Sequence, residues 1–490
     1  MSISESGAIA RVEKRLLIGG KWVNASGMAT FGIEDPSTGE VFANVSDATQ
    51  SDAIHALDSA VESFGSWSNT PPRQRGEVLR GVYESMINDI DYLSMLMTLE
   101  MGKPLSEARA EVLYAADFFR WFSEEAVRIQ GRYYNAPDGN SRVLTLKQPV
   151  GPVYLITPWN FPLAMAARKL GAALAAGCTA ILKPAEQTPL CSLALGQILS
   201  DCGLPSGVVN IIPTSEPSVV SEKLMRDPRL RKVSFTGSTE VGKLLVAKSA
   251  HNLLRVSMEL GGNAPFIVFD DCDLNLAVEN ALIAKMRNMG EACTSANRFI
   301  VQAGIAENFA KRLTDRMAGL KVGRGVEDAS KVGPLIDSEA VFKVESLVSD
   351  ALANGAKLLT GGSKIHGPGY FFEPTVILGV DAKSDMSQTE IFGPVAPIWV
   401  FETEDQAVKI ANDTPYGLVA YLFTSDIGRG LRVMERLETG MLGLNQGMVS
   451  NAAAPFGGVK QSGFGREGGF EGIDEYLTLK YVAINSSNAK

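Results

Sequence analysis

A cysteine and a glutamate stand 34 residues apart, each within a short segment of unusual composition. Glu259 lies in residues 258–263, which read MELGGN, and Cys293 lies in residues 288–298, which read NMGEACTSANR. A thiolate can add to an aldehyde carbonyl, and a carboxylate can accept a proton from water. The pair therefore suits the oxidation of an aldehyde through a thioester that water then hydrolyses.

The surroundings of these two residues are unusual for their types. A lone cysteine is most often a small buried apolar residue, but Cys293 follows the predicted helix 274–287 in a bend rich in Gly, Thr, Ser and Asn, which favours exposure in a cleft. Glu259 stands between Met258 and Leu260, ahead of two glycines, and such an apolar setting raises the pKa of a carboxyl group. The remaining cysteines are expected to be buried apolar residues: Cys178, Cys191, Cys202 and Cys272.

Two further segments lie upstream of the glutamate. Residues 157–162 read TPWNFP and residues 182–186 read LKPAE. With the glutamate and cysteine segments, in this order, they resemble the aldehyde dehydrogenase superfamily, and the resemblance runs from residues 18–23 (IGGKWV) to residues 472–476 (GIDEY). It implies an NAD(P)-dependent enzyme of the α/β class, with two doubly wound α/β domains (a Rossmann-like cofactor domain and a catalytic domain) and a small β oligomerisation element.

The resemblance also assigns the catalytic roles. Cys293 is the nucleophile, and Glu259 activates the water that hydrolyses the thioester. The side-chain amide of Asn160 and the backbone N–H of Cys293 would stabilise the tetrahedral oxyanion, and losing one such donor costs roughly 3–4 kcal/mol. Read alone, Asn160 would be an ordinary turn residue before Phe161.

The segment that best suits a pyrophosphate is residues 235–242, FTGSTEVG. It follows a predicted strand and opens a predicted helix with Ser238 or Thr239 as the N-cap, so free N–H groups and the helix dipole would meet the phosphates. Read alone, it is simply a well-capped helix. The cofactor-binding residues that the resemblance implies are Thr157, Pro158, Trp159, Lys183, Ala185, Glu186, Gly237, Ser238, Leu260, Glu390 and Phe392.

The choice between NAD and NADP depends on residues that follow the predicted strand 179–182. In the family the lysine and glutamate here contact the adenosine ribose. Glu186 can accept hydrogen bonds from both ribose hydroxyls and would repel a 2′-phosphate, which favours NAD. Lys183 could still bind a phosphate if Glu186 swings aside, so use of both cofactors stays open. The resemblance places Glu390 on the second ribose and Phe392 beside it.

Two arginines bear on the substrate. Arg168 and Arg287 each lie on an otherwise apolar helix, and each alone would be read as half of a structural ion pair. With residues 445–451 (NQGMVSN), they are similar to the succinate-semialdehyde dehydrogenase branch, where two arginines and a serine, here Ser450, hold the distal carboxylate. Phe161 and Phe456 would line the pocket.

Other functions remain open at this point. The substrate could be another ω-carboxy aldehyde, such as glutarate semialdehyde, or a broader range of aliphatic aldehydes. A catalytically silent relative with the same fold is a third reading, which the joint presence of Cys293, Glu259 and Asn160 opposes. The sequence also departs from the branch: Ser295 replaces a second cysteine, so a thiol switch cannot form there, and Glu291 would place an extra negative charge near the thiolate.

The elements that must position these residues follow from hydrophobic periodicity. Residues 52–64 and 74–101 are predicted helices. From about residue 150, short apolar runs alternate with helices, which is typical of a parallel doubly wound sheet. The predicted strands are 153–157, 179–182, 208–212 and 232–235, and the predicted helices are 163–176, 190–201 and 239–249.

The domain bounds follow from this rhythm. Residues 1–130 and 149–257 are the expected NAD(P)-binding domain, and residues 258–440 the expected catalytic domain. Residues 131–148 and 441–490 are the expected oligomerisation element and C-terminal segment, in which the strand-like residues 142–146 join a C-terminal strand, 476–484. The GFGREG segment at 463–468 matches a dinucleotide fingerprint, but it follows no apolar strand, so it is read as a bend.

Bulk composition excludes several functions. The net charge is −9 and no basic block offsets it, so nucleic-acid and acidic-membrane partners are not expected. Three histidines and an odd number of cysteines without a C-x-x-C pair indicate neither a metal site nor a disulfide framework. The N-terminus lacks a signal or transit character. The expectation is a metal-free cytoplasmic enzyme of small aldehydes that forms a homo-oligomer, either a dimer or a tetramer.

Overall fold

The computed structural model describes residues 3–485. The strands are β1 (Leu16–Ile18), β2 (Lys21–Val23), β3 (Thr30–Asp35), β4 (Glu40–Ser46), β5 (Arg132–Asn135), β6 (Ser141–Pro149), β7 (Val153–Ile156), β8 (Ala180–Lys183), β9 (Val209–Ile211), β10 (Lys232–Thr236), β11 (Arg255–Glu259), β12 (Ala264–Val268), β13 (Ala296–Gln302), β14 (Lys357–Thr360), β15 (Thr375–Leu378), β16 (Val395–Phe401), β17 (Val419–Phe423), β18 (Met441–Leu444), β19 (Gly463–Phe464) and β20 (Leu477–Asn485).

The α-helices of the same range lie before, between and after these strands. They are α1 (Glu5–Arg11), α2 (Gln50–Asn69), α3 (Pro72–Asn88), α4 (Ile90–Met101), α5 (Leu105–Glu125), α6 (Pro162–Ala176), α7 (Leu190–Asp201), α8 (Pro217–Met225), α9 (Thr239–Ser249), α10 (Leu274–Met286), α11 (Ala306–Ala318), α12 (Ser338–Ala353), α13 (Glu404–Asn412), α14 (Ile427–Arg436) and α15 (Glu471–Asp474).

The first large sheet has the strand order β19-β11-β10-β7-β8-β9-β1-β2. Its five central strands run parallel, and β19, β1 and β2 close it as antiparallel edges. Every residue of β7, β8 and β10 is buried, because helices cover both faces of a parallel sheet. The predicted doubly wound sheet is confirmed.

The topology of this sheet brings the sequence motifs together. The TPWNFP segment directly follows β7. The LKPAE and FTGSTEVG segments begin within the last two residues of β8 and β10, respectively, and Glu259 is the last residue of β11. Parallel strands present their carboxyl ends at one edge, which is where open α/β sheets bind ligands. Segments that are far apart in the sequence therefore meet at one edge.

A second sheet forms the other large layer, with the order β14-β15-β16-β13-β12-β17-β18. All of its neighbouring strands are parallel except β14 and β15. The sheet extends to β18, so it includes Met441–Leu444. A third sheet, β20-β6-β5, is antiparallel and pairs Leu477–Asn485 with Ser141–Pro149, which confirms the predicted partnership of the two segments.

Local predictions and structure differ in a few places. The predicted helix 74–101 is two helices, because the backbone leaves helical geometry at Asp89, where neither Gly nor Pro marks the break. The GFGREG segment forms β19 and a turn, and an added Cβ at Gly463 would collide with the carbonyl oxygen of Met258 on the neighbouring strand. This glycine therefore serves close strand packing.

The five thiols are free, and they differ in exposure. Cys178 and Cys191 are buried as expected, whereas Cys202 and Cys272 are half-buried. Cys202 directly follows the last residue of α7, and Cys272 lies two residues before the first residue of α10. Among the helices of residues 3–485, none combines the length and hydropathy that a bilayer crossing requires.

Candidate active site

A cavity of about 240 Å³ lies between the two large sheets, and we call it the reaction cavity. It is bounded by segments that follow β7, β10 and β11 and by segments that precede β13 and β16. The predicted site residues that line it are Pro158, Trp159, Asn160, Phe161, Arg168, Gly237, Ser238, Leu260, Arg287, Cys293, Glu390, Phe392, Ser450 and Phe456.

Cys293 reaches the reaction cavity through an unusual turn. Three consecutive residues after α10 have left-handed backbone: Asn288, Met289 and Gly290. An added Cβ at Gly262 would collide with the carbonyl oxygen of Cys293, so the MELGGN segment packs directly against the cysteine backbone. Burial raises the pKa of the Cys293 thiol to about 12, with the positive charge of Arg168 as the largest opposing influence. The nucleophilic role that the sequence predicts for Cys293 would therefore require the thiol to lose its proton on attack.

Asn160 is buried beside the backbone of the cysteine segment. Its Nδ2 donates to the carbonyl oxygen of Glu291 at 2.9 Å, and its Oδ1 accepts from the N–H of Phe161 at 3.1 Å. A primary amide carries two N–H bonds. One holds the side chain in place, and the other is left for an oxygen in the reaction cavity.

Glu259 is buried at the end of β11, but it is absent from the lining of the reaction cavity. Its Oε2 has no hydrogen-bond partner among the described residues. Burial and then the negative charge of Glu467 raise the pKa of Glu259 well above its ordinary value, against the influence of Arg168 and Lys169. The carboxylate therefore needs a water molecule or a side-chain rotation to reach an acyl group on Cys293.

This raised pKa predicts a pH dependence. A general base acts only when ionised, so if Glu259 is the base that the sequence predicts, thioester hydrolysis should slow as the pH falls through its pKa. We expect kcat, measured between about pH 5 and pH 9, to show an acid limb well above the ordinary range of a glutamate. Glu259→Gln should remove the limb together with most of the turnover. An identical limb in the variant would assign the titration to another group.

Arg168 is held by a carboxylate that sequence reasoning missed. Its Nε forms a buried ion pair with Glu467, whose Oε1 accepts from Lys169 at 2.6 Å and from Ser234 at 3.2 Å. Although burial alone would raise it, the pKa of Glu467 is lowered to about 2, because Arg168 and Lys169 lie beside it. Neither terminal nitrogen of Arg168 has a hydrogen-bond partner within residues 3–485. The four N–H bonds of these two nitrogens therefore lack well-formed hydrogen bonds, although the Tyr114 hydroxyl lies beside the guanidinium.

Arg287 lies across the reaction cavity from Arg168. Its Nη1 donates to Ser450 Oγ at 3.0 Å, and its guanidinium carbon lies 4.9 Å from the centre of the Phe161 ring. The hydroxyl of Tyr114, a second residue that sequence reasoning missed, is buried without a hydrogen-bond partner of good geometry. The ring of Phe456 lies 4.3 Å from the guanidinium carbon of Arg168. The reaction cavity therefore brings together two guanidinium groups, the hydroxyls of Ser450 and Tyr114, and the rings of Phe161 and Phe456.

A second cavity, of about 450 Å³, adjoins the first, and we call it the adenosine cavity. Both cavities share Pro158, Trp159, Thr236, Gly237 and Ser238. The other predicted cofactor residues in its wall are Thr157, Lys183, Ala185 and Glu186.

The chemistry of the adenosine cavity suits a dinucleotide. The hydroxyls of Thr157 and Thr236 are buried and have no partner among residues 3–485. Ser238 caps α9 by accepting from the N–H of Val241 at 3.3 Å, so the positive end of this helix faces the cavity. Lys183 Nζ lies 3.0 Å from Glu186 Oε2, which offers one donor and one acceptor side by side.

Glu390 and Phe392 lie at the opposite end, in the reaction cavity. Glu390 Oε1 accepts from the N–H of Gly262 at 2.9 Å, and burial raises the pKa of Glu390 to about 7. Phe392 has left-handed backbone, and its ring meets the Trp159 ring edge-on at 5.4 Å. The structure therefore places these two residues next to the MELGGN segment and away from Lys183.

Comparison with known proteins adds to this geometry. The model of the aldehyde dehydrogenase family matches residues 22–482. The chain belongs to this family. As a member of the aldehyde dehydrogenase family, it is an NAD(P)-dependent enzyme that acts on small-molecule aldehydes.

Curated relatives and solved structures agree with that assignment. A succinate-semialdehyde dehydrogenase of Paenarthrobacter nicotinovorans is 54% identical over 91% of this chain and 99% of its own length. A 3-sulfolactaldehyde dehydrogenase of Pseudomonas putida is 46% identical over 96% of this chain and 97% of its own. The crystal structure of succinate-semialdehyde dehydrogenase from Burkholderia pseudomallei has a TM-score of 0.95 and 46% identity, covering 97% and 98% of the two chains.

Two departures of this aldehyde dehydrogenase from its branch lie beside the nucleophile. Ser295 is buried, and its hydroxyl donates to the carbonyl oxygen of Lys285 at 3.4 Å. The carboxyl of Glu291 turns away from the reaction cavity and accepts from the N–H of Ile336 at 3.1 Å. Burial raises the pKa of Glu291 well above its ordinary value, which disfavours the extra negative charge expected near Cys293.

Proposed function

We propose that this aldehyde dehydrogenase oxidises succinate semialdehyde to succinate with NAD or NADP. One observation carries the choice of substrate: the terminal nitrogens of Arg168 lack well-formed hydrogen bonds, and Arg168 lines the same small cavity as Arg287 and Ser450. Guanidinium groups bind carboxylates through paired, charge-assisted hydrogen bonds. A short aldehyde whose far end is a carboxylate therefore satisfies these donors while its carbonyl faces Cys293.

The proposed first step is attack by Cys293 on the aldehyde carbonyl. The S–H bond breaks and its proton passes to water, the sulfur bonds to the carbonyl carbon to form a thiohemiacetal, and the C=O π electrons move onto the carbonyl oxygen as negative charge. The free N–H of the Asn160 amide and the backbone N–H of Cys293 stabilise that charge, because preorganised donors act strongly where water is excluded. Arg168 also favours the thiolate through its positive charge.

The residues that would hold the cofactor fall into two groups. Lys183 and Glu186 suit the adenosine ribose, and the start of α9 at Ser238 suits the pyrophosphate. Glu390 and Phe392 suit the nicotinamide end. Bound there, NAD or NADP supplies the hydride acceptor that the oxidation of the thiohemiacetal to a thioester requires.

The last proposed step is hydrolysis of the thioester on Cys293. Glu259 accepts a proton from water, and the water oxygen attacks the acyl carbon. Release of the thiol then restores Cys293 and yields the carboxylic acid. The apolar burial of Glu259 suits this role, since it keeps the pKa high enough for the carboxylate to act as a base.

A second candidate substrate is an aldehyde with a different distal anion. The relative from Pseudomonas putida is a 3-sulfolactaldehyde dehydrogenase, and a sulfonate offers oxygen acceptors to the same arginines. Longer ω-carboxy aldehydes, such as glutarate semialdehyde, would use the same donors.

A panel of aldehydes tests the proposal. Reduced nicotinamide is measured by absorbance with succinate semialdehyde, glutarate semialdehyde, 3-sulfolactaldehyde and neutral butanal. We expect the highest kcat/KM with succinate semialdehyde and the lowest with butanal. A preference for butanal would overturn the carboxylate assignment, and a preference for the sulfonate would support the second candidate.

The cofactor preference depends on Glu186, and Glu186→Ser should move it towards NADP. The change removes a charge that repels a 2′-phosphate and frees Lys183 to pair with one. Because the Glu186 side chain is 41% exposed, we expect a rise in the NADP/NAD ratio of kcat/KM of only about five- to twentyfold. Glu186→Gln, which keeps the shape, should give a similar rise. An unchanged ratio would mean that the carboxylate does not face the ribose.

The proposed domains keep the predicted bounds: residues 1–130 and 149–257 bind the cofactor, 258–440 are catalytic, and 131–148 with 441–490 form the oligomerisation element and C-terminal segment. The two large sheets support the division, although the catalytic sheet extends to Leu444.

A homo-oligomer, dimer or tetramer, is proposed because the three-stranded sheet exposes a group of large apolar side chains. They are Tyr133, Tyr134, Leu479 and Tyr481. Light scattering in solution tests this directly. A cytoplasmic location is proposed on the five free thiols, which are typical of a reducing compartment.

A further inference from the structure

The left-handed turn before Cys293 carries a buried asparagine that the proposed reaction does not use. Asn288 has φ +53° and is fully buried. Its backbone N–H donates to Glu107 Oε2 at 2.5 Å, which ties the turn to α5. Asparagine tolerates left-handed backbone better than most residues do. Backbone preference alone, however, does not explain where its side chain points.

The side chain of Asn288 joins the two segments that supply the oxyanion donors. Its Nδ2 donates to the carbonyl oxygen of Asn160 at 3.0 Å and to the carbonyl oxygen of Glu291 at 2.9 Å. The Asn160 side chain donates to that same Glu291 oxygen at 2.9 Å. One amide group therefore spans the gap between the Asn160 backbone and the backbone that leads to Cys293.

Lys103 is a second buried side chain that donates to the backbone carbonyl oxygen of Asn160. Lys103 Nζ donates to the carbonyl oxygen of Asn160 at 2.8 Å and to Glu111 Oε2 at 2.5 Å. The Oε1 of Glu111 accepts from the N–H groups of Leu163 and Ala164, both at 3.1 Å, at the start of α6. The Asn160 backbone is thus fixed by two buried donors, and only Asn288 also contacts the cysteine segment.

We propose that Asn288 is a positioning residue that sets the separation of the two oxyanion donors, the Asn160 amide and the Cys293 backbone N–H. The proposal rests on the proposed function of these two groups. Oxyanion stabilisation depends on donor positions at the scale of tenths of an ångström, so a rigid bridge between the donors has a catalytic effect without touching the substrate.

The test uses Asn288→Gly, which keeps a left-handed backbone without strain and removes only the amide. Asn288→Asp, nearly isosteric, replaces the donor with an acceptor that faces two carbonyl oxygens. For both variants we expect kcat/KM to fall about ten- to hundredfold. The fall should be equal for succinate semialdehyde and butanal, because the oxyanion is common to every aldehyde.

A further measurement separates positioning from collapse of the turn. Alkylation of Cys293 by iodoacetamide develops no oxyanion, so its rate should stay within about twofold of the wild-type rate. Alkylation that slows in parallel with oxidation would show a structural role and overturn the proposal. Unchanged kcat/KM in Asn288→Gly would overturn it as well.

The two proposals fail in different ways. Failure of the substrate proposal appears in the wild-type enzyme as a preference for butanal. Failure of the positioning proposal appears as wild-type kcat/KM for butanal in Asn288→Gly. In the Asn160→Ala background, Asn288→Gly should cost less than it does alone, because the two residues act on one donor pair. Full additivity would contradict the shared role.

Discussion

Replacing Cys293 with alanine is expected to lower the rate of aldehyde oxidation by at least about four orders of magnitude, because no other thiol lines the reaction cavity. Binding of NAD should persist, since the adenosine cavity does not include this residue. The absorbance of reduced nicotinamide gives the rate, and fluorescence titration with NAD gives the binding.

Cys272 provides the matched control, because it is also half-buried and lies in the same domain as proposed above. Cys272→Ala should oxidise aldehydes at the wild-type rate. A substoichiometric alkylating agent should label Cys293 first, since Cys293 alone of the five thiols lines the reaction cavity. Labelling of Cys272 with Cys293 untouched, together with activity in Cys293→Ala, would overturn the assignment of the nucleophile.

The second large effect is expected for Arg287→Ala. Truncating one partner of a buried charged hydrogen bond costs roughly 2–5 kcal/mol, or about thirty- to several-thousand-fold. We expect that loss in kcat/KM for succinate semialdehyde and a much smaller loss for butanal, which has no distal anion. Arg287→Lys keeps the positive charge but lacks the paired N–H donors of a guanidinium. Its kcat/KM for succinate semialdehyde should therefore lie between the values of the wild type and of Arg287→Ala.

Arg168 is a less selective test, and the structure shows the reason. Within residues 3–485, Arg168→Ala leaves the buried Glu467 with Lys169 as its one ion-pair partner, and Glu467 in turn influences the pKa of Glu259. The kcat/KM of this variant should therefore fall for both succinate semialdehyde and butanal. Equal losses for both aldehydes in Arg287→Ala as well would mean that the arginines are structural and that the substrate carries no distal carboxylate.

Much of the site could be predicted because the sequence of each segment indicates its local secondary structure. Ser238 was one of two predicted N-caps, and α9 has the predicted bounds 239–249. The same holds for α7, predicted as 190–201. Once these segments follow parallel strands, the topology alone carries them to one edge of the sheet. That rule places Asn160, which follows β7, but not Cys293, which precedes β13 of the second sheet, so their meeting in one cavity also depends on how the two sheets pack.

The electrostatic partners could not be predicted in this way. Glu467 pairs with Arg168 across 299 residues of sequence and lies in the GFGREG segment, where the glycine spacing gives no indication of an ion pair. Tyr114 lies on α5, where an aromatic residue at helical spacing reads as ordinary core. The break at Asp89 also has no signal, since tertiary packing of α4 rather than a Gly or Pro ends α3. Such contacts are set by packing between distant elements, which a local pattern does not encode.

The most direct test of the whole account is mass spectrometry of Glu259→Gln after mixing with succinate semialdehyde and NAD. If Cys293 attacks, the hydride leaves and Glu259 serves hydrolysis, the variant should stop as a thioester. We expect a mass increase of one succinyl group per subunit, mapped to the peptide that contains Cys293, with one reduced nicotinamide formed for each. Reduced nicotinamide formed at the wild-type steady rate, with Cys293 unmodified or the acyl group on another residue, would contradict it.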